Sequence, residues 1–350
     1  RQCEVHRGQI TMPEFNTTNY QGLQNFDEDY GADSSHNLTK DNAVTVTGLY
    51  PDGKDVSLDK DGTVKDKGAE LTIKLGDYLA GRYQLTTDKF QTSGKITRRP
   101  LKITAEDKTI KYGEPAPQFT AAFGPVNSGS SDEGLIEKEK SYVSSSNVVM
   151  EAPDYKEGDN VTSESGTTTA SYPINVRDFS SNDVNVDNYA VTYVKGSLSV
   201  EKNQLEAPKP VWNVKSNSDL SNDKAGTVSW KAVDGIHGIG VDKYKISLYK
   251  DGTLVDGSVH EVPAETLSYN YTDKMTEAGK YTVKVQAIAT TDGNRNPTNV
   301  LDSAEGQSDS LYAANVTFEF AGDAVTSSGK GGSITVNGGD HALVIAGQKN

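Results

Sequence analysis

The sequence predicts an all-β protein, built as tandem small β-sandwich modules in an extended array. Apolar and polar residues alternate with period two along most of the chain, and no long apolar stripe of helical period interrupts them. Tyrosine is abundant at 17, against 8 phenylalanines and 2 tryptophans. Tyr with Thr and Val is the choice of a pleated, half-exposed sheet surface. The 33 glycines and 12 prolines supply turns between many short strands.

The elements follow in order. Leu71, Ile73 and Leu75 alternate with Thr72 and Lys74, and Leu101 and Ile103 with Lys102 and Thr104. Tyr172, Ile174 and Val176 form a third run, Tyr189, Val191 and Tyr193 a fourth, and Leu198 and Val200 a fifth. Tyr281, Val283, Val285 and Ala287 form the clearest. Each reads as a strand with one buried face. "GLIEKEKSYV", Gly134–Val143, predicts one short helix, and two further strands are expected after Glu319.

A length of 350 residues corresponds to about two to four domains. The net charge of −14 repels nucleic acid and anionic membranes. Cys3 is the only cysteine, which excludes an internal disulfide framework and any Cys-rich zinc site. No stretch approaches the ~18 apolar residues of a membrane helix, and neither end carries a recognisable signal or sorting sequence. The chain opens without Met and stops just after a strand-like run, as a piece of something longer would.

One domain ending is used twice. "AGRYQLTTDKFQTSGKITRRPLKI", Ala80–Ile103, echoes "VDNYAVTYVKGSLSVEKNQLEAP", Val186–Pro208, and Tyr83 corresponds to Tyr189. Each has a Tyr opening a strand, a polar turn with Gly, and a short strand that exits into a new segment. Borders fall near Arg99-Pro100 and in the polar, Pro-bearing stretch Lys202–Pro208, composed as linkers are. The expected modules are residues 1–99, with 1–27 unassigned, then 100–203, 204–318, and a partial β unit at 319–350.

Three resemblances rest on these residues. Val211–Phe318 resembles a fibronectin type III domain, through Pro208 before its first strand, Trp230 in "TVSW", Tyr244 in "DKYKISLY" and Tyr281 in "AGKYTVKVQA". The likeness places Trp230 between two sheets and makes Tyr281 a corner tyrosine whose hydroxyl ties back to upstream backbone. Leu101–Glu201 resembles the MBG repeat of bacterial surface proteins and adhesins, on "LKITAEDKTIKYGEPAP" and "NYAVTYVKGSLSV". Glu28–Arg99 more loosely resembles the related YDG-type repeat, on "AVTVTGLYPDGKDVSL" and "YLAGRYQLTTDKFQTSGKIT". The two repeat modules are expected to be immunoglobulin-like sandwiches or a β-grasp-like arrangement.

"YGEPAP" sets the functional question. Gly113 after Tyr112 is free to take positive φ. Pro115 and Pro117 hold an extended connection without donors. The expectation is an architectural joint. Elsewhere chemistry is scarce. No two of the five histidines stand at metal-ligand spacing. "GIHGIG" around His237 has no nucleophile elbow and no βαβ unit with it, and reads as a sandwich loop. "SSGKGGS", Ser327–Ser333, lacks phosphate-loop spacing. Asp52, Asp55, Asp59 and Asp61 in "PDGKDVSLDKDG" read as hairpin turns, with weak Ca²⁺ binding as the alternative. Tyr269 and Tyr271 in "SYNYTD" share one face if that segment is a strand, which suits either a sandwich face or ring stacking on a sugar.

The resemblances imply a non-catalytic extracellular stalk or adhesion region of a bacterial surface or secreted protein, monomeric and without a cofactor. It would space or present a site for a host or matrix protein or a glycan. The alternative is a carbohydrate-binding or accessory linker region of a large secreted glycoside hydrolase.

Overall fold

A computed structural model describes residues 3–6, 9–10, 44–81, 83–164, 167–168, 171–213, 225–290, 298–313, 316–320, 325–328, 333–336 and 343–347. Strands in several sheets dominate them, and their one α-helix is the four-residue Asp77–Ala80. The segment expected as a short helix forms a six-residue 3₁₀ helix, Glu137–Tyr142. Two compact units emerge. One comprises residues 1–108, 118–153 and 173–197, the other 109–117, 154–172 and 198–350.

In the first unit, Val44–Leu49 pairs antiparallel with Lys67–Leu75, which pairs antiparallel with Lys89–Thr97. Cys3–His6 joins Lys89–Thr97 in parallel. Tyr50, Ala69 and Ile96 form a small core, with Val56 packed against it. A second sheet orders Ala121–Gly124, Arg99–Ala105 and Tyr189–Val194. Its first pair is antiparallel and its second parallel, with Arg99 opposite Tyr189. The alternation read at Leu101 and Ile103 becomes full burial, extended to Ala105. The face expected from Tyr189, Val191 and Tyr193 is buried only at Tyr189, and Tyr193 is exposed. The Tyr193 hydroxyl instead accepts the Phe179 N–H at 2.8 Å, so its outer end seals the edge through a polar contact. Arg99 braces the loop beside this sheet. Its guanidinium donates to the carbonyls of Ser131, Glu133 and Gly134 at 2.7–2.9 Å.

The second unit contains a two-sheet sandwich. Val211–Trp212, Thr227–Ser229 and Ser268–Asn270 form one sheet. Val241–Lys250 and Gly279–Ala289 are the long central pair of the other. Thr253–Leu254 and His260–Pro263 flank that pair on one side, and Gly306–Gln307 and Leu311–Ala313 on the other. The period-two reading holds along the long strand: Tyr281, Val283, Val285 and Ala287 are all buried. They meet Tyr244, Ile246, Leu248, Val228 and Trp230 in a core almost free of solvent. Burying a Leu- or Val-sized side chain is worth about 1.5–3 kcal/mol, so this face dominates the module's stability. Asn203–Gln204, ahead of the sandwich strands, pairs in parallel with Val300–Leu301, which lies between Gly279–Ala289 and Gly306–Gln307. The two strands expected after Glu319 are Ser333–Val336, which pairs with Val325–Ser328, and Leu343–Gly347, which pairs with Val316–Phe320.

The chain entering the sandwich crosses Gly306 at close range. A Cβ there would lie 1.6 Å from the Pro208 carbonyl oxygen. Backbone cannot yield as a flexible side chain can, so Gly306→Ala should cost about 1–3 kcal/mol, read as a lower midpoint in denaturant unfolding. An unchanged midpoint would mean that this crossing is loose.

Candidate functional site: two asparagine clamps

Two buried asparagines hold distant parts of the chain together by one design. Asn188 is fully buried in the first unit. Its side-chain oxygen accepts the Val56 N–H at 2.9 Å, and its amide nitrogen donates to Asp55 Oδ1 at 2.8 Å. Asn299 is 2 % exposed in the second unit. Its oxygen accepts the Val161 N–H at 3.1 Å, and its nitrogen donates to Asn160 Oδ1 at 2.9 Å. Each asparagine immediately precedes a strand that pairs in parallel with the strand opening the same segment. Tyr189 stands opposite Arg99, and Val300 opposite Asn203. Each receptor is an Asx-Val dipeptide just before a short hairpin strand, Ser57–Leu58 or Ser163–Glu164. A buried amide needs both its donor and its acceptor satisfied, and this receptor offers one of each.

Further contacts support each clamp. Arg98, the residue between the strands Lys89–Thr97 and Arg99–Ala105, donates to the Asp187 carbonyl at 3.1 Å and the Gly62 carbonyl at 3.0 Å. At the second clamp Asn203 donates from its backbone to the Asn299 carbonyl at 3.0 Å, and from its side chain to the Tyr112 carbonyl at 2.9 Å.

The Tyr112-Gly113 turn sits in this second contact region. Tyr112 is buried, its N–H bonds the Glu201 carbonyl at 2.8 Å, and its hydroxyl reaches the His237 carbonyl at 3.4 Å. Gly113 adopts φ +85° and Gly158 φ +90°. A Cβ on Gly113 would meet His237 Cβ at 3.0 Å, and one on Gly158 would lie 2.0 Å from His237 Nε2. The two glycines thus leave room for His237, itself at φ +44° in its loop. The Tyr112 ring meets the imidazole edge-on at 6.0 Å, and Glu157 Oε1 lies 3.9 Å from Nδ1. The Tyr155 hydroxyl donates to the Glu114 carbonyl ahead of Pro115. Burial first, then the Asp159 and Glu157 carboxylates, push the Tyr155 pKa up, which keeps that hydroxyl a donor. Pro115 is exposed and Pro117 half-buried, in chain outside any strand.

The other residues singled out from sequence lie apart from the clamps or serve them. Asp55 is a clamp residue. Asp59 Oδ1 caps its own turn, accepting the N–H groups of Asp61 at 3.0 Å and Thr63 at 2.8 Å. The carbonyls of Asp52, Gly53 and Asp55 receive the Lys67 ammonium at 3.4, 2.8 and 3.1 Å. Among the described residues no three of His, Cys, Asp or Glu gather as a metal ion requires. Trp230 packs 5.5 Å from Tyr244, and its buried Nε1 has no partner among the described residues. The Tyr281 hydroxyl donates to the Glu277 carbonyl at 2.8 Å. Tyr271 lies just beyond the strand, fully buried, its hydroxyl on the Ser258 carbonyl at 2.7 Å. Burial pushes its pKa well up. The half-exposed Tyr269 stacks on His260 at 4.9 Å. Part of the Ser327–Ser333 segment lies outside the described residues.

Sequence reasoning missed Asn188, Asn299, Arg98 and Lys67. A signal was present: Asp55-Val56-Ser57 and Asn160-Val161-Thr162 stand 105 residues apart, close to the spacing of the Tyr83 and Tyr189 repeat.

The family model of the MBG domain (YGX type) matches residues 101–199. Among curated proteins none matches the chain. Of solved structures, the FN1–FN3 domains of chicken CNTN1 are 10 % identical, cover 71 % of this chain and 74 % of theirs, and give a TM-score of 0.19. Domains A168–A170 of titin are 10 % identical, with 77 % and 88 % coverage and a TM-score of 0.20. Mouse protocadherin-24 EC1–3 is 15 % identical, with 76 % and 89 % coverage and a TM-score of 0.16.

Removing a clamp should be costly. Asn188→Ala and Asn299→Ala each lose about 1–3 kcal/mol, with Asn299→Ala the larger because the Val161 N–H is shut away from water. Denaturant unfolding measures the loss, and equal stability of both variants to the parent would sink the assignment. Gly158→Ala should displace the imidazole, visible as shifted His237 ring resonances, at a cost of roughly 1 kcal/mol for the positive φ.

Proposed function

We propose that the chain is a non-catalytic, extracellular spacer or adhesion segment of a bacterial surface protein. Its β modules, over 1–99, 100–203, 204–318 and from 319 on, are held at set angles by the two clamps. The third module reads as fibronectin type III-like, and the first as a YDG-type repeat. The single observation that carries the proposal is the twofold use of one buried clamp where the chain leaves one proposed module for the next. A catalyst gains little from fixed joints, whereas a spacer that presents a distal site for a host or matrix ligand depends on them. The MBG match at 101–199 supports the setting, since that family is associated with bacterial surface proteins. The Tyr281 and Trp230 geometry supports the fibronectin-like reading. The reading needs no cofactor. Among the described residues no helix is long and apolar enough to cross a membrane.

Brief protease treatment of intact cells of the source organism tests the location. Peptides from 44–313 should be released into the medium and identified by mass spectrometry. Their release only after lysis would overturn the surface assignment.

A further inference from the structure

The two receptors differ by one atom type, and that difference has a chemical meaning. Both offer a backbone N–H to the oxygen of the incoming side chain. Beside it the first receptor places the carboxylate of Asp55, and the second the amide of Asn160. A carboxylate only accepts hydrogen bonds, so the first receptor requires a partner that brings both an acceptor and a donor, as a primary amide does. An asparagine carries both functions, and a half-turn about its last side-chain bond exchanges them. The second receptor can therefore present its NH₂ to an incoming carboxylate.

We propose that Asp55 makes the first receptor selective for a following module bearing asparagine at the clamp position, whereas Asn160 lets the second receptor take either asparagine or aspartate. The inference rests on the reading of the clamps as module joints. The partner is a β module of the kind found in this chain, one that opens with the parallel strand pair and carries the clamp residue directly before it. Asp55 and Asn160 are then the residues that set which module can follow which. Asn188 brings an amide to the first receptor, as selectivity demands, and Asn299 brings one to the permissive second.

The test uses the full chain and reads amide hydrogen exchange at Val56 and Val161, which reports local opening of each joint. Asn188→Asp sets a buried carboxylate against the exposed one of Asp55, where 2.8 Å now separates donor and acceptor. Val56 exchange should accelerate on the order of tenfold to a hundredfold. Asn299→Asp should accelerate Val161 by less than about threefold, because the Val161 N–H and the turned Asn160 amide both donate to the new carboxylate. The double variant Asp55→Asn with Asn188→Asp reverses the first pair and should restore Val56 protection to within about threefold of the parent. General damage to the packing would not be repaired by a second substitution of this kind. Equal acceleration by the two aspartate variants, or no rescue by the double variant, would overturn the selectivity. If Asn188→Ala and Asn299→Ala themselves left both amides protected, the joint reading would fall with it, and the two failures are told apart on that basis.

Discussion

A side-chain amide shut away from water has to satisfy a donor and an acceptor together. Asn188 and Asn299 do so across more than a hundred residues of chain. A hydrogen bond of this kind adds little in net terms when made, yet leaving one partner buried and alone costs several times more. The arrangement therefore acts less as glue than as a condition. The segments come together in the register that satisfies the amide, and other registers carry the penalty. The parallel pairs that begin one residue later, at Tyr189 and Val300, inherit that register. Sheet order and core burial beyond them follow from ordinary strand alternation.

Much of the fold was legible because it depends on local pattern. Period-two alternation locates the strands around Leu71, Leu101 and Tyr281 and the strand Tyr172–Arg177, and "GLIEKEKSYV" locates a helical turn. Tyr112-Gly113 stood out because glycine after a strand's last aromatic announces a positive φ, and Gly113 sits at +85°. The clamps were illegible for a physical reason. Their halves are joined by tertiary contact at separations of 132 to 139 positions, and a lone asparagine before a strand looks like any turn residue. The four aspartates of "PDGKDVSLDKDG" read locally as turns. The ammonium that reaches the carbonyls of this run comes from Lys67, on the far side of a hairpin, which local pattern does not announce.

The sandwich keeps its interior distinct from the contacts around Asn299. Its core joins apolar faces to buried hydroxyls that reach backbone, among them those of Tyr244 on the Val233 N–H, Tyr271 on the Ser258 carbonyl and Tyr281 on the Glu277 carbonyl. The contacts around Asn299 and Gly113, by contrast, draw on glycines, amides and main-chain groups. Apolar packing tolerates small slides, whereas directional bonds between short groups do not. An angle between segments set by the second kind of contact is correspondingly better defined.

Lys67 adds a last point. Its ammonium lies among three carbonyl oxygens of the turn that leads into Asp55 and Val56, with the Tyr50 ring 5.9 Å away. A dissolved ion in such a nest comes and goes with its concentration. A charge tethered by four methylenes to the same polypeptide is always present at high effective concentration, so that turn carries its own cation wherever the protein goes.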